Sequence, residues 1–366
     1  MRSWVANVSL EGELLVRAAW DGARVTGIDV ASTRPHVAGR LLAGRTVAEA
    51  VAMVPRLFSI CGRSQGVAAA LACDAAAGRV PEAPEVRNRE SEVRSEAVQE
   101  ILRRMLLDWS RLAGTDPDAS ALADLRSALS GAPDAMRAVV KERIVGAPNP
   151  WTVLDDAGTG GRWLSAAATP VAALITRLAG ARPGFAASEV ALLPADGEAV
   201  ARAVGAALAA DAAFERAPSW QGAPAETGAL ARMRAQPWVA ALVARNGRSA
   251  LARLVARVVE LVAQVRPDAP PDARVAGAVP MAPGAGLGWV ETARGLLVHA
   301  VEVVAGTVRR YRIVAPTEWN FHPRGALAAG LGGVTATGED ELRRLVRLAV
   351  EALDPCVAYR VEVSPG

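Results

Sequence analysis

Aromatic side chains are scarce in this chain, at 4% of 366 residues, so any sizeable core has to rest on alanine, valine and leucine. Lysine is nearly absent. Lys141 is the single one, and arginine supplies the rest of the 41 basic residues that, against 38 acidic ones, give a net charge of +3. An arginine-only basic set suits phosphate recognition, but no basic stripe with interleaved aromatics occurs. No nucleic-acid partner is expected, and GC-rich codon usage is the plainer source of both arginine and alanine. Cysteine is limited to Cys61, Cys73 and Cys356, too few for a disulfide framework in so long a chain, so a reducing cytoplasm is the expected home. Residues 1–9 lack the basic-then-apolar layout of a secretion signal, and no apolar run reaches about 18 residues, so no membrane insertion is expected. The histidines are His36, His299 and His322. None stands in a His-x-x-x-His or Cys-x-x-His spacing, and a hydrogen-bonded structural role is expected for each.

What is present is an apolar half, 51%, rich in alanine, which suits a helix-dominated globular protein. Residues 13–20 and 23–30 read as two strands joined at Asp21-Gly22, a two-residue hairpin signal. Thr46 with Glu49 three residues later forms a capping box for a helix. A second helix is expected over 64–77, ended by Gly78, with Pro81 and Pro84 keeping the next segment extended. Over 86–112 the residues Val93, Ala97, Ile101, Met105 and Trp109 recur at helical spacing. Residues 113–224 read as a divergent, alanine-rich helical middle. Within it Gly158-Thr159-Gly160-Gly161 has no following Lys-Ser/Thr and reads as a turn rather than a phosphate loop. Helices are expected over 227–244, 249–265 and 339–353, a Pro-rich linker or surface loop over 267–283, and a second hairpin over 296–304 and 308–314 joined by Ala305-Gly306. The expectation is one domain, 1–366, mainly α with small β hairpins near both ends (α+β).

Five separated segments, in the same order, resemble the large subunit of nickel–iron hydrogenases. Leu10-Glu11-Gly12-Glu13-Leu14 is similar to that family's opening Arg-Ile-Glu-Gly-His-Leu. Gly44-Arg45 followed by Ile60-Cys61-Gly62-Arg63-Ser64 is similar to Arg-x-Cys-Gly-x-Cys. Val86-Arg87-Asn88 through Leu107-Asp108-Trp109 resembles the long helix that follows. Glu291-Thr292-Ala293-Arg294-Gly295 with His299, then Tyr311, then Pro316-Thr317-Glu318-Trp319-Asn320 up to Pro323-Arg324, resembles Glu-Ala-Pro-Arg-Gly and Pro-Thr-Thr-Trp-Asn-x-x-Pro-Arg. Asp354-Pro355-Cys356 is similar to Asp-Pro-Cys-x-x-Cys-x-x-His. The resemblance implies a large-subunit-like helical body, shortened in the middle.

The departures decide the function that the resemblance implies. In the enzymes each Cys-x-x-Cys supplies one thiolate to nickel alone and one that bridges nickel to iron. Here the second members are Ser64 and Tyr359, and the family's accompanying histidines fall at Ala68 and Glu362. Serine and tyrosine oxygens are harder ligands than thiolates, so two remaining thiols do not rebuild a binuclear site. The chain is therefore expected not to be an enzyme, and no nickel is expected. Arg294 and Thr317 stand where the family's donors to the iron's cyanide ligands stand, and a fixed-charge guanidinium beside a directional hydroxyl suits an anionic ligand. This pattern resembles the HupK/HoxV group of hydrogenase maturation proteins. It implies a scaffold that transiently holds iron with cyanide and carbonyl ligands through Cys61 and Cys356, with the hydrogenase large subunit and the general maturation proteins as partners. The alternative is a metal-free chaperone that mimics the large subunit. With no extension past Gly366 for a protease to remove, no nickel checkpoint is expected either.

The supporting residues carry open readings. Glu11 matches a family position near a structural metal and proton route, or does nothing special. Arg63 either lowers the Cys61 pKa by its charge or is a surface residue. Trp319 and Asn320 are expected to lock the backbone behind Thr317, and Cys73 to be a small buried hydrophobe.

Overall fold

The computed structural model describes residues 12–34, 38–58, 60–112, 114, 119–129, 133–268 and 274–366. The chain opens on a hairpin of β1 (Glu13–Trp20) and β2 (Val25–Ser32), in which Leu14, Val16 and Ala18 alternate into the core. Its turn is longer than the expected Asp21-Gly22 pair. The Asp21 carboxylate accepts the backbone N–H groups of Ala23 and Arg24, both at 2.9 Å, and this local bond holds four residues out of the ladder.

Thr46 and Glu49 form the expected capping box at the head of the Val47–Met53 helix. The Gly62–Ala76 helix follows, then the Ala83–Arg103 helix, where Pro84 occupies the first turn instead of prolonging an extended segment. A π-helical turn over Arg104–Asp108 leads into Trp109–Leu112, and the stripe from Val93 to Trp109 is buried throughout. Beyond these lie five further helices, Ala119–Leu129, Pro133–Val139, Ala157–Ala166, Pro170–Ala181 and Gly197–Ala210, and a parallel pair of two-residue strands, β3 (Ala191–Leu192) and β4 (Ala225–Glu226).

The glycine run at 158–161 is helical, not a turn. Asp156 caps it by accepting the N–H groups of Gly158 and Thr159, and a Cβ on Gly160 would lie 2.4 Å from the Trp238 ring. Pro237 splits the helix expected over 227–244 into Ala229–Met233 and Pro237–Asn246, with Gln236 capping the second. The Ala250–Val265 helix is buried on all sides except at Ala263 and Gln264 and forms the axis of the helical body. No single helix among the described residues is long and apolar enough to cross a membrane.

Part of the Pro-rich stretch expected to be a linker or loop is a strand. β5 (Ala276–Ala282) is the edge of an antiparallel sheet, where Pro280 is tolerated because the ladder needs no N–H on the outer side. β6 (Ala285–Thr292), β7 (Gly295–Val304) and β8 (Thr307–Val314) complete it, with Ala305-Gly306 as the expected turn at φ 49° and 75°. The Gly62–Ala76 helix lies directly on this sheet. Its alanines and the glycines of β6 allow an unusually close approach: a Cβ on Gly288 would fall 2.1 Å from the Ala68 carbonyl oxygen. The Glu339–Leu353 helix then leads to β9 (Ala358–Pro365), which pairs in parallel with β1 in the order β2-β1-β9. The second sheet is thus larger than a hairpin, and the first is closed by the far end of the chain.

Close helix–sheet contact gives a direct test. Gly288→Ala is expected to destabilise the protein by about 1–3 kcal/mol in urea unfolding, because backbone has to move. Gly161→Ala, a helical position with nothing within 4 Å of the added carbon, is expected to be neutral or stabilising by roughly 0.4–1 kcal/mol.

Candidate functional site

Three strand ends meet at one edge of the first sheet. Glu13 begins β1 opposite Ala358 of β9, and Ser32 ends β2 opposite Leu14. Arg34 lies two residues past the end of β2 and Cys356 two residues before β9, so the sheet delivers both to the same place. The Arg34 guanidinium reaches the Cys356 sulfur with Nη2 at 3.1 Å and Glu318 with Nη1 at 3.0 Å. Thr317 takes the other side of the cysteine. Its Oγ1 accepts the Cys356 N–H at 3.3 Å and lies 2.9 Å from Sγ, which leaves the hydroxyl proton free to point at sulfur.

Cys61 comes from the head of the Gly62–Ala76 helix, where it is the N-cap but makes no side-chain cap bond. Glu96 does that work from the neighbouring helix, accepting the N–H groups of Arg63 at 2.9 Å and Ser64 at 2.8 Å. The sulfur is therefore spared from capping, and Gln65 donates to it through Nε2 at 3.6 Å. Desolvation pushes the Cys61 thiol up to about 12, assisted by negative charge on Cys356, while Gln65 and Arg294 pull the other way. Burial wins over the helix terminus here. Arg63 is exposed, and the cations whose charge reaches Cys61 are Arg294 and Arg34.

Arg294 sits in the two-residue turn between β6 and β7, where Thr292 accepts its N–H at 3.2 Å. Its Nη2 donates to Glu100 at 3.0 Å and its Nε stands 3.7 Å from the Asp354 carboxylate. Asp354 ends the last long helix in a left-handed conformation, φ 56°, and is buried against Arg104, Arg257 and Arg294. Burial works to raise its carboxyl, but the Arg294, Arg257 and Arg104 charges outweigh that and hold it below the ordinary carboxylate range. Asn320 ties the surroundings together. It accepts the Thr227 N–H and donates to the carbonyls of Arg294 and Leu353.

The two sulfurs, separated by most of the chain, are thus brought to the same pair of guanidiniums, Arg34 and Arg294, and Cys61 also feels charge on Cys356. The sequence profile of the nickel-dependent hydrogenase family matches residues 235–361, the part that carries Arg294, Thr317, Asp354 and Cys356. Over 98% of its length the chain is 35% identical to the hydrogenase expression/formation protein HoxV of Cupriavidus necator, covering 97% of that protein. It is 33% identical to the hydrogenase expression/formation protein HupK of Rhizobium leguminosarum bv. viciae, with 92% of each chain covered. The chain belongs to this family of hydrogenase expression/formation proteins. Its fold is that of the hydrogenase large subunit: the Ni-Fe-Se hydrogenase from D. vulgaris Hildenborough superposes with a TM-score of 0.57 at 16% identity, over 92% of this chain and 94% of that one.

In this expression/formation protein the residues at the two other thiol positions and the last histidine position of the resembled motifs have occupations of their own. Ser64 is buried beneath Glu96, Tyr359 donates to Glu351 at 2.8 Å, and Glu362 pairs with Arg17 on the exposed face of the first sheet. Among the described residues no three His, Cys, Asp or Glu side chains gather into a metal-holding group. Cys73 is buried in the core under Tyr311 and Leu42, as expected of a small hydrophobe. Glu11 and His36 lie outside the described residues. Arg34, Gln65 and Glu318 belong to the site and are not singled out by the sequence motifs. The one visible signal is Glu318, a carboxylate where the resembled motif has threonine.

Two measurements follow from these contacts. Arg34→Met strands the Glu318 carboxylate in a buried position and is expected to cost about 3–5 kcal/mol in denaturant unfolding, with Arg34→Met/Glu318→Thr recovering more than half. A double variant no more stable than the single one would show that the pair is not coupled. The second concerns His299, fully buried, whose imidazole burial pushes down to about 3 from its usual 6.5. A depressed folded-state value means stability that is complete above about 6.5 and is lost as pH falls, by roughly 1.4 kcal/mol per unit down to about 3. His299→Gln is expected to remove that share of the slope between pH 7 and 5.

Proposed function

We propose that this protein is a non-catalytic cytoplasmic scaffold in nickel–iron hydrogenase maturation, holding an iron–cyanide–carbonyl group as cargo between Cys61 and Cys356 and passing it to the large subunit. The observation that carries this reading is that two cysteines free of disulfides both lie within reach of the Arg294 charge, one of them against Thr317. Soft sulfur ligands suit the iron, and the buried donors suit the cyanide nitrogens. Among the described residues, Nη2 is the one Arg294 guanidinium nitrogen committed to a hydrogen bond, while Nε is buried without one and faces the Asp354 carboxylate at 3.7 Å. The Thr317 hydroxyl is engaged with Cys356, and turning away from the sulfur is what frees it for a cyanide. Two thiolates and no more make a holding site rather than a final one, which suits cargo that has to leave again. The large subunit and the general maturation proteins are the partners in this reading.

A second reading, a metal-free chaperone that grips hydrogenase subunits or maturation factors by mimicking the large subunit, draws support from one observation. Thr317 and Arg34 already satisfy the Cys356 sulfur without any metal. Infrared spectra of the protein purified without oxygen from hydrogenase-expressing cells separate the two. Cyanide and carbonyl stretches with bound iron and negligible nickel are expected, lost in Cys61→Ser/Cys356→Ser together with support of maturation. Full maturation by that double variant, with no bands in the parent, would leave only the chaperone.

A further inference from the structure

Behind Cys61 runs a line of buried polar groups that the cargo reading does not use. Gln65 stands one helical turn beyond Cys61 and so shares its face of the helix. Gln65 Oε1 meets His299 Nε2 at 2.8 Å, and His299 Nδ1 meets the Tyr311 hydroxyl at 2.6 Å. His299 lies on β7 and Tyr311 on β8, in diagonal register, with their rings edge to face at 5.5 Å. All three residues are at most 3% exposed.

The partners fix the direction of every proton. With Gln65 donating Nε2–H to sulfur, its Oε1 accepts, so His299 carries its proton on Nε2. Nδ1 is then the acceptor, and Tyr311 donates to it. Every donor points toward Cys61. Reversing the line would need a flipped Gln65 amide and an Nδ1–H imidazole, and would take the Tyr311 hydroxyl proton out of the one hydrogen bond that this group makes among the described residues. Tyr311 therefore sets the direction, although it lies three bonds of the line away from the sulfur.

We propose that Gln65, His299 and Tyr311 are positioning residues, a directed hydrogen-bond line that fixes the Cys61 sulfur as an acceptor with its lone pairs available to the pocket. This rests on the cargo reading for its purpose but not for its existence. A chain of like-directed hydrogen bonds strengthens each member, so the far hydroxyl acts on the sulfur through the two groups between them. Cys356 is held differently, by Thr317 and Arg34, and stands outside the line.

The test uses the full-length protein with 15N-labelled histidine. In the parent, His299 is expected to give the Nε2–H tautomer pattern, and an Nδ1–H pattern would overturn the proposal without any variant. Tyr311→Phe, which removes one hydroxyl and keeps the ring, is expected to mix the His299 tautomers. It is also expected to slow alkylation of Cys61 by iodoacetamide roughly two- to five-fold while leaving Cys356 unchanged. Unchanged Cys61 reactivity in a folded Tyr311→Phe protein would show that the line is structural only. In cargo-loaded protein the same variant is expected to lower the carbonyl stretching frequency, since a sulfur that donates its electrons less to hydrogen bonds donates more to iron. Absence of carbonyl bands in the parent would sink the cargo reading and leave the tautomer and alkylation results standing.

Discussion

Asp354 is the carboxylate that three buried guanidiniums share: Arg104, which also pairs with Asp108 and Glu351, Arg257, and Arg294, which also pairs with Glu100. Each arginine arrives from a different element: a π-helical turn, the axial helix and a hairpin tip. None of them is tolerable in the interior without a counter-charge, because a buried, unpaired cation costs several kcal/mol. Their common partner also ends the last long helix in a left-handed turn, and that turn aims the next residues back toward the first sheet. The placement of Cys356 is thus a by-product of charge balance. Arg104 secures the join by donating to the Pro355 carbonyl, and Asn320 ties the Arg294 carbonyl to that of Leu353.

Features written in neighbouring residues are legible in the sequence alone. The Thr46–Glu49 capping box, the buried stripe from Val93 to Trp109, the Ser249-capped axial helix and the Ala305-Gly306 turn each depend on spacing within a few residues, and each stands where expected. Other features have the opposite cause. The helix through 158–161 starts on the local Asp156 cap, but glycine at 160 answers to Trp238, some eighty positions later, which needs the room. Strand β5 forms within a Pro-rich stretch because β6 offers it a ladder. Arg34 escapes notice for the same reason: nothing near it in sequence says that a sulfur 322 residues away will be its neighbour.

Where the resembled motifs carry two further thiols and a last histidine, this chain has Ser64, Tyr359 and Glu362, polar groups that need partners. Ser64 lies under the Glu96 cap, Tyr359 bonds Glu351, and Glu362 moves to a surface ion pair. The Glu318 carboxylate is neutralised by Arg34, which in turn holds the Cys356 sulfur. Each replacement is absorbed locally, and Arg294 and Asp354 keep their mutual arrangement.

The parallel pairing of β1 with β9 has a consequence for biosynthesis. Register between Glu13 and Ala358 joins the first strand to one made more than three hundred residues later. A growing polypeptide can fold its helices and its meander sheet as they emerge from the ribosome, since those depend on nearby sequence. The sulfur pair cannot exist until the final strand has been released and has docked beside the first. Loop-closure entropy grows only slowly with such a span, so the delay is one of timing rather than of stability. In a nascent chain the surroundings of Cys356 therefore stay open, and they close only once the last strand lies beside the first.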